Sequence, residues 1–431
     1  MKALVIGSGA REHALAARLS RELGSASVMC APGNPGIASL ARTISIDPTE
    51  IDSLLLLVER EAIDLTVVGP ELPLSLGIVD RLTAAGRAVF GPTAAAARLE
   101  TSKAFAKAFM ARHRVPTARF HTADSLDAAL RLVRDEPFGF PVVLKADGLA
   151  AGKGVVIADD RPVAEAALRA MMADRRFGAA GDRVVIEECL TGPEVSFFVV
   201  SDGRRALPIG TAQDHKRIFD DDRGPNTGGM GAFAPSRLVD TAMRDRIMHE
   251  IVEPVIAGMT AEGDPFRGFL YAGLMLTAGG PKVIEFNVRL GDPETQVILP
   301  LIDEPLAPLL AAAAAGALRQ AEVRLADRCL TGVVMASRGY PESSESGVTI
   351  AGIERAETIA GVAVYHAGTA RKNGQLVTAG GRVLTVVGSG GDFTESTTRA
   401  YAGVLQIGFE GMQFRHDIGR KALVKTAVTA Q

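Results

Sequence analysis

The chain of 431 residues is 47% hydrophobic and 23% charged, with 47 basic against 50 acidic side chains and a net charge of −3. At roughly 150 residues per domain, that length predicts about three domains with sizeable cores, which excludes a disordered chain. Balanced charge, absent tryptophan and 5% aromatic residues exclude a nucleic-acid-coating protein and an aromatic platform for single strands.

From the N-terminus, a strand at 3–6, a glycine turn and a helix through 14–19 lead to a strand at 27–31 that ends in Pro32-Gly33-Asn34-Pro35-Gly36. A strand opening straight into glycine is unlike a secretory signal. A helix at 51–61 precedes strands at 65–68 and 88–90, each ending in a Gly-Pro turn. Apolar strands alternating with helices predict a parallel sheet covered on both faces, with ligands beyond the strand C-termini where these turns lie. The first turn, Gly7-Ser8-Gly9-Ala10-Arg11-Glu12, departs from the dinucleotide fingerprint. Glu12 replaces the third glycine, where it would hinder helix packing and repel a pyrophosphate. A small phosphorylated ligand on Arg11 and the helix N-terminus fits better.

A helix at 99–110 carries Lys103 and Lys107. Beyond Pro116, short strands at 142–145, 155–157, 184–186 and 195–200 predict a small α+β unit. Residues 207–301 mix long loops with strands, and strands such as 331–336 and 382–387 predict a compact C-terminal unit. The alanine run at 311–315 sits in a helical segment of about a dozen residues, short of the ~20 that span a bilayer, so no membrane contact is expected. Cys30, Cys189 and Cys329 make no C-x-x-C pair and no disulfide framework, so a reducing cytoplasm is expected.

Four segments carry chemistry. Lys145-Ala146-Asp147-Gly148-Leu149-Ala150-Ala151-Gly152-Lys153-Gly154 fails as a P-loop. It is one residue short between Gly148 and Gly152, Gly154 stands where Ser or Thr would follow the lysine, and it joins two strands. A hairpin tip that lays backbone N–H groups and Lys153 over a triphosphate, with Lys145 fixed on the strand, is the better reading; an ordinary mobile hairpin is the alternative. Next, the strand at 184–186 runs through Glu187-Glu188-Cys189-Leu190 to Glu194, so its end can offer backbone groups to an adenine edge and an acid to ribose hydroxyls. Third, Gln213-Asp214-His215-Lys216-Arg217 leads into a glycine-dense loop at 224–232 that cannot form a regular element and predicts a wrap around a ligand. Without a visible partner His215 reads as structural, and Cys189, with no basic neighbour, as packing.

The fourth segment, 283–290, alternates: Ile284, Phe286, Val288 and Leu290 share one face, and Glu285, Asn287 and Arg289 the other. Glu and Asn oxygens can hold Mg²⁺, and Arg can fork onto a carboxylate or phosphate; the alternative is a solvated face. Gly291-Asp292-Pro293-Glu294 adds two acids in the turn that follows.

Together with Ala31-Pro32-Gly33-Asn34 and Val68-Gly69-Pro70-Glu71, these motifs resemble from end to end those of the glycinamide ribonucleotide synthetases (phosphoribosylamine–glycine ligases), an ATP-grasp family of purine biosynthesis. The resemblance implies an α/β ATP-grasp fold. A parallel α/β domain of biotin-carboxylase type at 1–102 would bind phosphoribosylamine. An ATP-grasp domain at 103–325 would carry a mobile lid at about 120–192, and a small α+β domain would occupy 326–431. The implied reaction is ATP-dependent ligation of glycine to 5-phosphoribosylamine through glycyl phosphate, with Mg²⁺ or Mn²⁺ on Glu285 and Asn287.

By the same resemblance, Lys103, Lys145, Gly152, Lys153 and Gly154 are expected at the ATP phosphates, Glu187 and Leu190 at adenine, and Glu194 at its ribose. Arg289 and Asp292 are expected at glycine, and Asp214, Thr227, Gly228 and Gly229 over the reacting centre. Gly9, Arg11, Glu12, Asn34 and Glu71 are expected at phosphoribosylamine, with Arg382 at its 5-phosphate. Many ATP-grasp enzymes carry a further metal-binding acid on the preceding strand; 271–276 has none, which speaks against a tightly held second metal. A monomer acting on small molecules alone is expected, and 218–223 is assigned no role. The rivals are another ATP-grasp carboxylate–amine ligase, a Rossmann dehydrogenase and a non-catalytic nucleotide-binding module.

Overall fold

A computed structural model of the chain describes residues 1–148, 154–176 and 178–423. Five strands, β1 (Ala3–Gly7), β2 (Val28–Pro32), β3 (Arg42–Thr43), β4 (Leu65–Val68) and β5 (Val89–Phe90), pair parallel in the order β3-β2-β1-β4-β5. Every residue of β1 is buried, because both faces of the sheet are covered. Ala3 and Val5 feed one core and Leu4 and Ile6 another. Helix α1 (Ala10–Leu23) follows β1. The strand order reverses between β1 and β4, so the turns after these two strands meet at one crevice.

The lid is a four-stranded antiparallel sheet of β6 (Phe120–Ala123), β7 (Val142–Ala146), β8 (Val155–Ala158) and β9 (Val184–Glu188), ordered β6-β9-β7-β8. With the helices Leu126–Asp135 and Arg161–Leu168 it closes a core of its own around Leu130, Val133, Leu144 and Leu168.

The main sheet has eight strands. In chain order come β10 (Glu194–Asp202), β11 (Ala206–Asp214), a side hairpin of β12 (Arg217–Phe219) and β13 (Arg223–Asn226), β14 (Gly231–Ala234), β15 (Arg267–Thr277), β16 (Gly280–Asn287), β17 (Cys329–Ala336), β18 (Val362–His366), a second hairpin of β19 (Thr369–Lys372) and β20 (Gln375–Thr378), and β21 (Arg382–Gly390). The order is β16-β15-β10-β11-β14-β17-β21-β18. The C-terminal strands therefore continue the central sheet through the β14–β17 pairing, and one core takes residues from all three parts, among them Val5, Phe198 and Val387.

Two expectations are corrected. The helix at 99–110 is two helices, Ala94–Thr101 and Lys103–Arg112, because Ser102 is extended and its Oγ accepts the Phe105 N–H at 3.1 Å as an N-cap. The strand through 290 ends at Asn287. Inside it, Val283 pairs with Leu274 and Glu285 with Gly273, which leaves Ile284 as an extra residue and breaks the alternation. Val283 and Phe286 enter the core while Ile284 faces the cleft, and beyond Asn287 Val288 and Leu290 turn into different cores.

Candidate active site

One cleft of about 1090 Å³ opens between the lid, the main sheet and the C-terminal strands. Arg11 and Glu71 reach it from the N-terminal turns, Lys103 from its helix, and Lys145, Gly154, Glu187 and Leu190 from the lid side. Glu194, Asp214, Thr227 and Gly228 line it from the β10–β14 region, Glu285, Asn287, Arg289 and Asp292 from β16 and its turn, and Arg382 from β21. Gly9, Glu12, Asn34 and Gly229 are not part of its lining. Gly152 and Lys153 lie outside the described residues.

The lysines on the lid side are fixed by acids. Lys145 on β7 and Lys107 each ion-pair with Glu187 on β9 at 3.0 Å, and all three are buried. Lys145 Nζ also donates to the Ile284 carbonyl at 3.0 Å, and Lys107 Nζ to Thr117 Oγ1 at 2.7 Å. Burial pulls Lys107 down to about 8 against the attraction of Glu187. Lys103 Nζ donates to the Gly148 carbonyl at 2.8 Å; burial lowers it, with Glu285 opposing. The Glu187 carboxylate, expected at adenine, is thus engaged by two ammonium groups.

Glu285 has no such partner: no described residue hydrogen-bonds or ion-pairs with its carboxylate. Burial alone would raise it, yet Lys216, Lys145, Lys103 and Arg289 hold it below the usual carboxylate range. Gly273 pairs with it on β15 and offers no side chain there. Asn287 Oδ1 accepts from Arg289 at 3.1 Å. Among the described residues no group of three or more His, Cys, Asp or Glu side chains could hold a metal. An unpartnered carboxylate beside an amide oxygen, in a field of cations that attracts phosphates, does fit a hard divalent ion that completes its shell from phosphate and water.

Arg289, expected at glycine, gives its donors to the protein: Glu71 at 3.2 Å, Glu100 at 2.9 Å, Asn287, and the Leu290 carbonyl at 3.3 Å. Burial would weaken its charge, but Glu100 and Glu71 raise it further above its ordinary range. Glu100 also accepts the Val288 N–H at 2.7 Å and so fixes the turn after β16. Arg382 donates to the carbonyls of Gly228 at 2.6 Å and Asp292 at 2.5 Å and lies 3.5 Å from the Asp292 carboxylate. It braces the Thr227-Gly228-Gly229 loop against the Gly291–Glu294 turn. Gly229 has φ +110°, and a Cβ there would meet Pro293 Cδ at 2.5 Å, so only glycine fits.

A carboxylate cluster lies beside this turn. Lys216 Nζ ion-pairs with Glu194 at 2.6 Å, and Asp214 and Glu194 raise the lysine well above its ordinary value although burial opposes them. Burial raises Asp214, Glu194 adds to the shift and Lys216 opposes it. Burial and then Asp214 push Glu294 up to about 7. Two neighbouring acids held high can share a proton.

At the N-terminal crevice, Glu12 accepts from Gly9 N–H and from Arg11 Nε, each at 2.6 Å. The N-terminus of α1 is thus capped by a carboxylate of its own first turn. Arg11 instead reaches toward the cleft and donates to the Leu290 carbonyl at 3.2 Å. Asn34 donates to the Ser8 and His366 carbonyls, each at 2.8 Å, bracing the first turn against β18. Lys107, Glu100, Lys216 and Glu294 belong to this site but carry no role in the sequence reading. Lys107, Lys216 and Glu294 stand among the residues named there, whereas nothing local marks Glu100, whose partners lie nearly two hundred residues away.

Family models of phosphoribosylglycinamide synthetase match this chain in three parts: the N domain at 1–100, the ATP-grasp (A) domain at 101–295 and the C domain at 330–421. The chain is 51% identical over 429 residues to the phosphoribosylamine--glycine ligase of Xanthomonas axonopodis pv. citri, covering 99% of both chains. It is 47% identical over 428 residues to that of Vibrio cholerae, again covering 99% of both. The crystal structure of the ligase of that name from Thermotoga maritima superposes with a TM-score of 0.84 at 35% identity, covering 97% of this chain and 100% of the other. A biotin carboxylase from Campylobacter jejuni shares the fold, at TM-score 0.74 and 17% identity over 96% of this chain and 93% of its own. Matched across its length by all three domains, and sharing about half its residues with these relatives, the chain belongs to the phosphoribosylglycinamide synthetase family.

Proposed function

We propose that the chain ligates glycine to 5-phosphoribosylamine, with ATP converted to ADP and phosphate. A glycine carboxylate oxygen attacks the γ-phosphorus, and the bond to the bridging oxygen of ADP breaks. The ribosylamine nitrogen then attacks the acyl carbon of glycyl phosphate. The carbon–oxygen bond to phosphate breaks and the nitrogen gives up a proton. The observation that carries this reading is the Glu285 carboxylate, unpartnered among the described residues and faced by Lys103, Lys145 and Lys216 in a cleft to which all three family domains contribute.

In this reading Glu285 and Asn287 hold Mg²⁺ or Mn²⁺, which neutralises phosphate charge when bound. Lys103 and Lys145 sit at the phosphates, with Lys145 held in place by Glu187 and the Ile284 carbonyl. Leu190 and the end of β9 take adenine, and Glu194 its ribose. Arg289, held by Glu71 and Glu100, presents a fixed positive charge to the acyl phosphate. The high carboxyl pair of Asp214 and Glu294 is placed to accept the amine proton. Little covalent chemistry by the protein is needed; positioning and charge neutralisation do most of the work. The working unit is taken to be a monomer in the cytoplasm; no described helix is long and apolar enough to cross a membrane.

The test is phosphate release with ATP, Mg²⁺, glycine and freshly made phosphoribosylamine. Release is expected only with glycine present and in step with glycinamide ribonucleotide formed. Release that ignores glycine, or accepts alanine freely in its place, overturns the reading in favour of another ATP-grasp ligase.

A further inference from the structure

The segment 415–421, just past the last long helix, grips the β12–β13 hairpin. Among the described residues Arg415 is the largest fully buried side chain, with 0% of that side chain exposed. Its Nε and Nη2 bind Asp417 at 2.7 and 2.6 Å, and its Nη1 donates to the Arg217 carbonyl at 3.0 Å and to Asp222 at 2.9 Å. The acids of the hairpin turn are each tied to the same segment. Asp220 accepts the His416 N–H at 2.7 Å, Asp221 pairs with Arg420 at 2.7 Å, and Asp222 pairs also with Lys421 at 2.7 Å.

These ties hold a turn that does not favour itself. Asp221 and Asp222 are consecutive non-glycine residues at φ +58° and +53°, a conformation costing roughly 1–2 kcal/mol per residue that persists only where the surroundings impose it. The hairpin then runs directly into the loop over the cleft. Thr227 N–H and Oγ1 both bind the Lys216 carbonyl at 2.8 Å, and the Gly228 N–H donates to the Tyr340 hydroxyl at 2.9 Å. Arg217, Asp222, Asn226, Thr227, Gly228 and Lys421 all line the cleft.

We propose that Arg415 is a positioning residue: with Asp417, Asp222 and Lys421 it clasps the β12–β13 hairpin so that the Thr227–Gly229 loop stays closed over the acyl phosphate and excludes water. The inference rests on the ligase reading above. A loosened clasp admits water to the acyl carbon. Water oxygen then bonds there, the carbon–oxygen bond to phosphate breaks, and glycine and phosphate leave with the water protons shared between phosphate and solvent. ATP is thereby hydrolysed without ligation. In that reading the ATP phosphates and adenine rest on Lys103, Lys145 and Leu190, none of which the clasp touches.

Arg415→Ala and Arg415→Lys test this, with Asp222→Asn as a milder break at a half-exposed partner should the alanine variant fail to fold. Wild-type phosphate release in step with ligation is established first; its absence would defeat the ligase reading and leave the clasp to be judged by trypsin alone. In the variants, phosphate released per glycinamide ribonucleotide is expected to rise severalfold and kcat/KM for phosphoribosylamine to fall by about tenfold or more, while KM for ATP stays within about twofold. Arg415→Lys, which keeps the charge, is expected to recover part of the coupling. Without substrates, trypsin is expected to cut at Lys216, Arg217 or Arg223 faster than in wild type. Unchanged coupling and unchanged cleavage overturn the proposal, as does a uniform loss for all three substrates that follows the melting temperature alone.

Discussion

Lys107 and Lys145 share one carboxylate, and that sharing separates folding from chemistry. If Lys145 is truncated, Glu187 keeps Lys107 as a buried partner at 3.0 Å, so no uncompensated charge remains. Lys145→Ala is therefore expected to fold, with a melting temperature within a few degrees of wild type, and to lose turnover by about a thousandfold or more. Near-normal phosphate release in a folded variant would remove Lys145 from the phosphates. Glu294 supplies a second prediction, through pH. Burial and Asp214 push it up to about 7, above its value in an unfolded chain. The folded protein therefore binds this proton more tightly. The stability it contributes is present at low pH and is lost as pH rises through about 7. Glu294→Gln is expected to gain stability relative to wild type between pH 5 and pH 8, measured by denaturant midpoints; a constant difference would contradict the shift. If the acid pair accepts the amine proton, kcat/KM for phosphoribosylamine rises through an apparent value of about 7 in wild type and loses that limb in the variant, the value belonging to the pair.

β1, β4 and β9 were readable as strands because burial on both faces makes them largely apolar runs, and glycines stand at the ends of β1 and β4. What sequence concealed was set by partners far along the chain. Ser102 breaks a helix whose pattern ran through it because its hydroxyl caps the next one. Ile284 bulges because the β15 pairing slips there. Arg289 carried a legible charge, but not the Glu71 and Glu100 cage that holds it. The first turn joins both kinds of information. Gly7, Gly9 and Gly69 all abut the Glu12 side chain, so the glycines after β1 and β4 are there to make room for the acid that caps α1. Gly69→Ala would drive a methyl group into the Glu12 carboxylate. We expect a loss of about 1–3 kcal/mol, the usual range for overpacking, and a raised KM for phosphoribosylamine as the cap shifts. A variant as stable as wild type, by thermal melting, would contradict this close packing.

The molecule divides energetically in a different place from its family domains. The lid core, from Ala123 to Ile186, draws on no described residue outside the lid, whereas the large core containing Val5, Phe198, Leu330 and Val387 crosses from the first strand to the last sheet strand. Several contacts that join lid to body are polar: Lys103 to the Gly148 carbonyl, Lys145 to the Ile284 carbonyl, and Lys282 to Glu188 at 3.3 Å. Such contacts exchange for water at little net cost, while separating β14 from β17 would expose a continuous sheet and its core. The lid is therefore expected to open as a unit below the free energy of global unfolding, and β1, β10 and β17 to unfold together. Native-state hydrogen exchange tests this directly. Amides of β7 and β9 should share one lower opening free energy, and those of β1 and β17 a common higher one. If ATP with Mg²⁺ binds Lys145 on the lid and Glu285 on the body at once, as proposed, it should raise the lid value toward the global one. If β17 and β21 instead exchanged as a separate low-energy unit, the continuity of the sheet would not govern stability, and the C-terminal strands would be an appended domain after all.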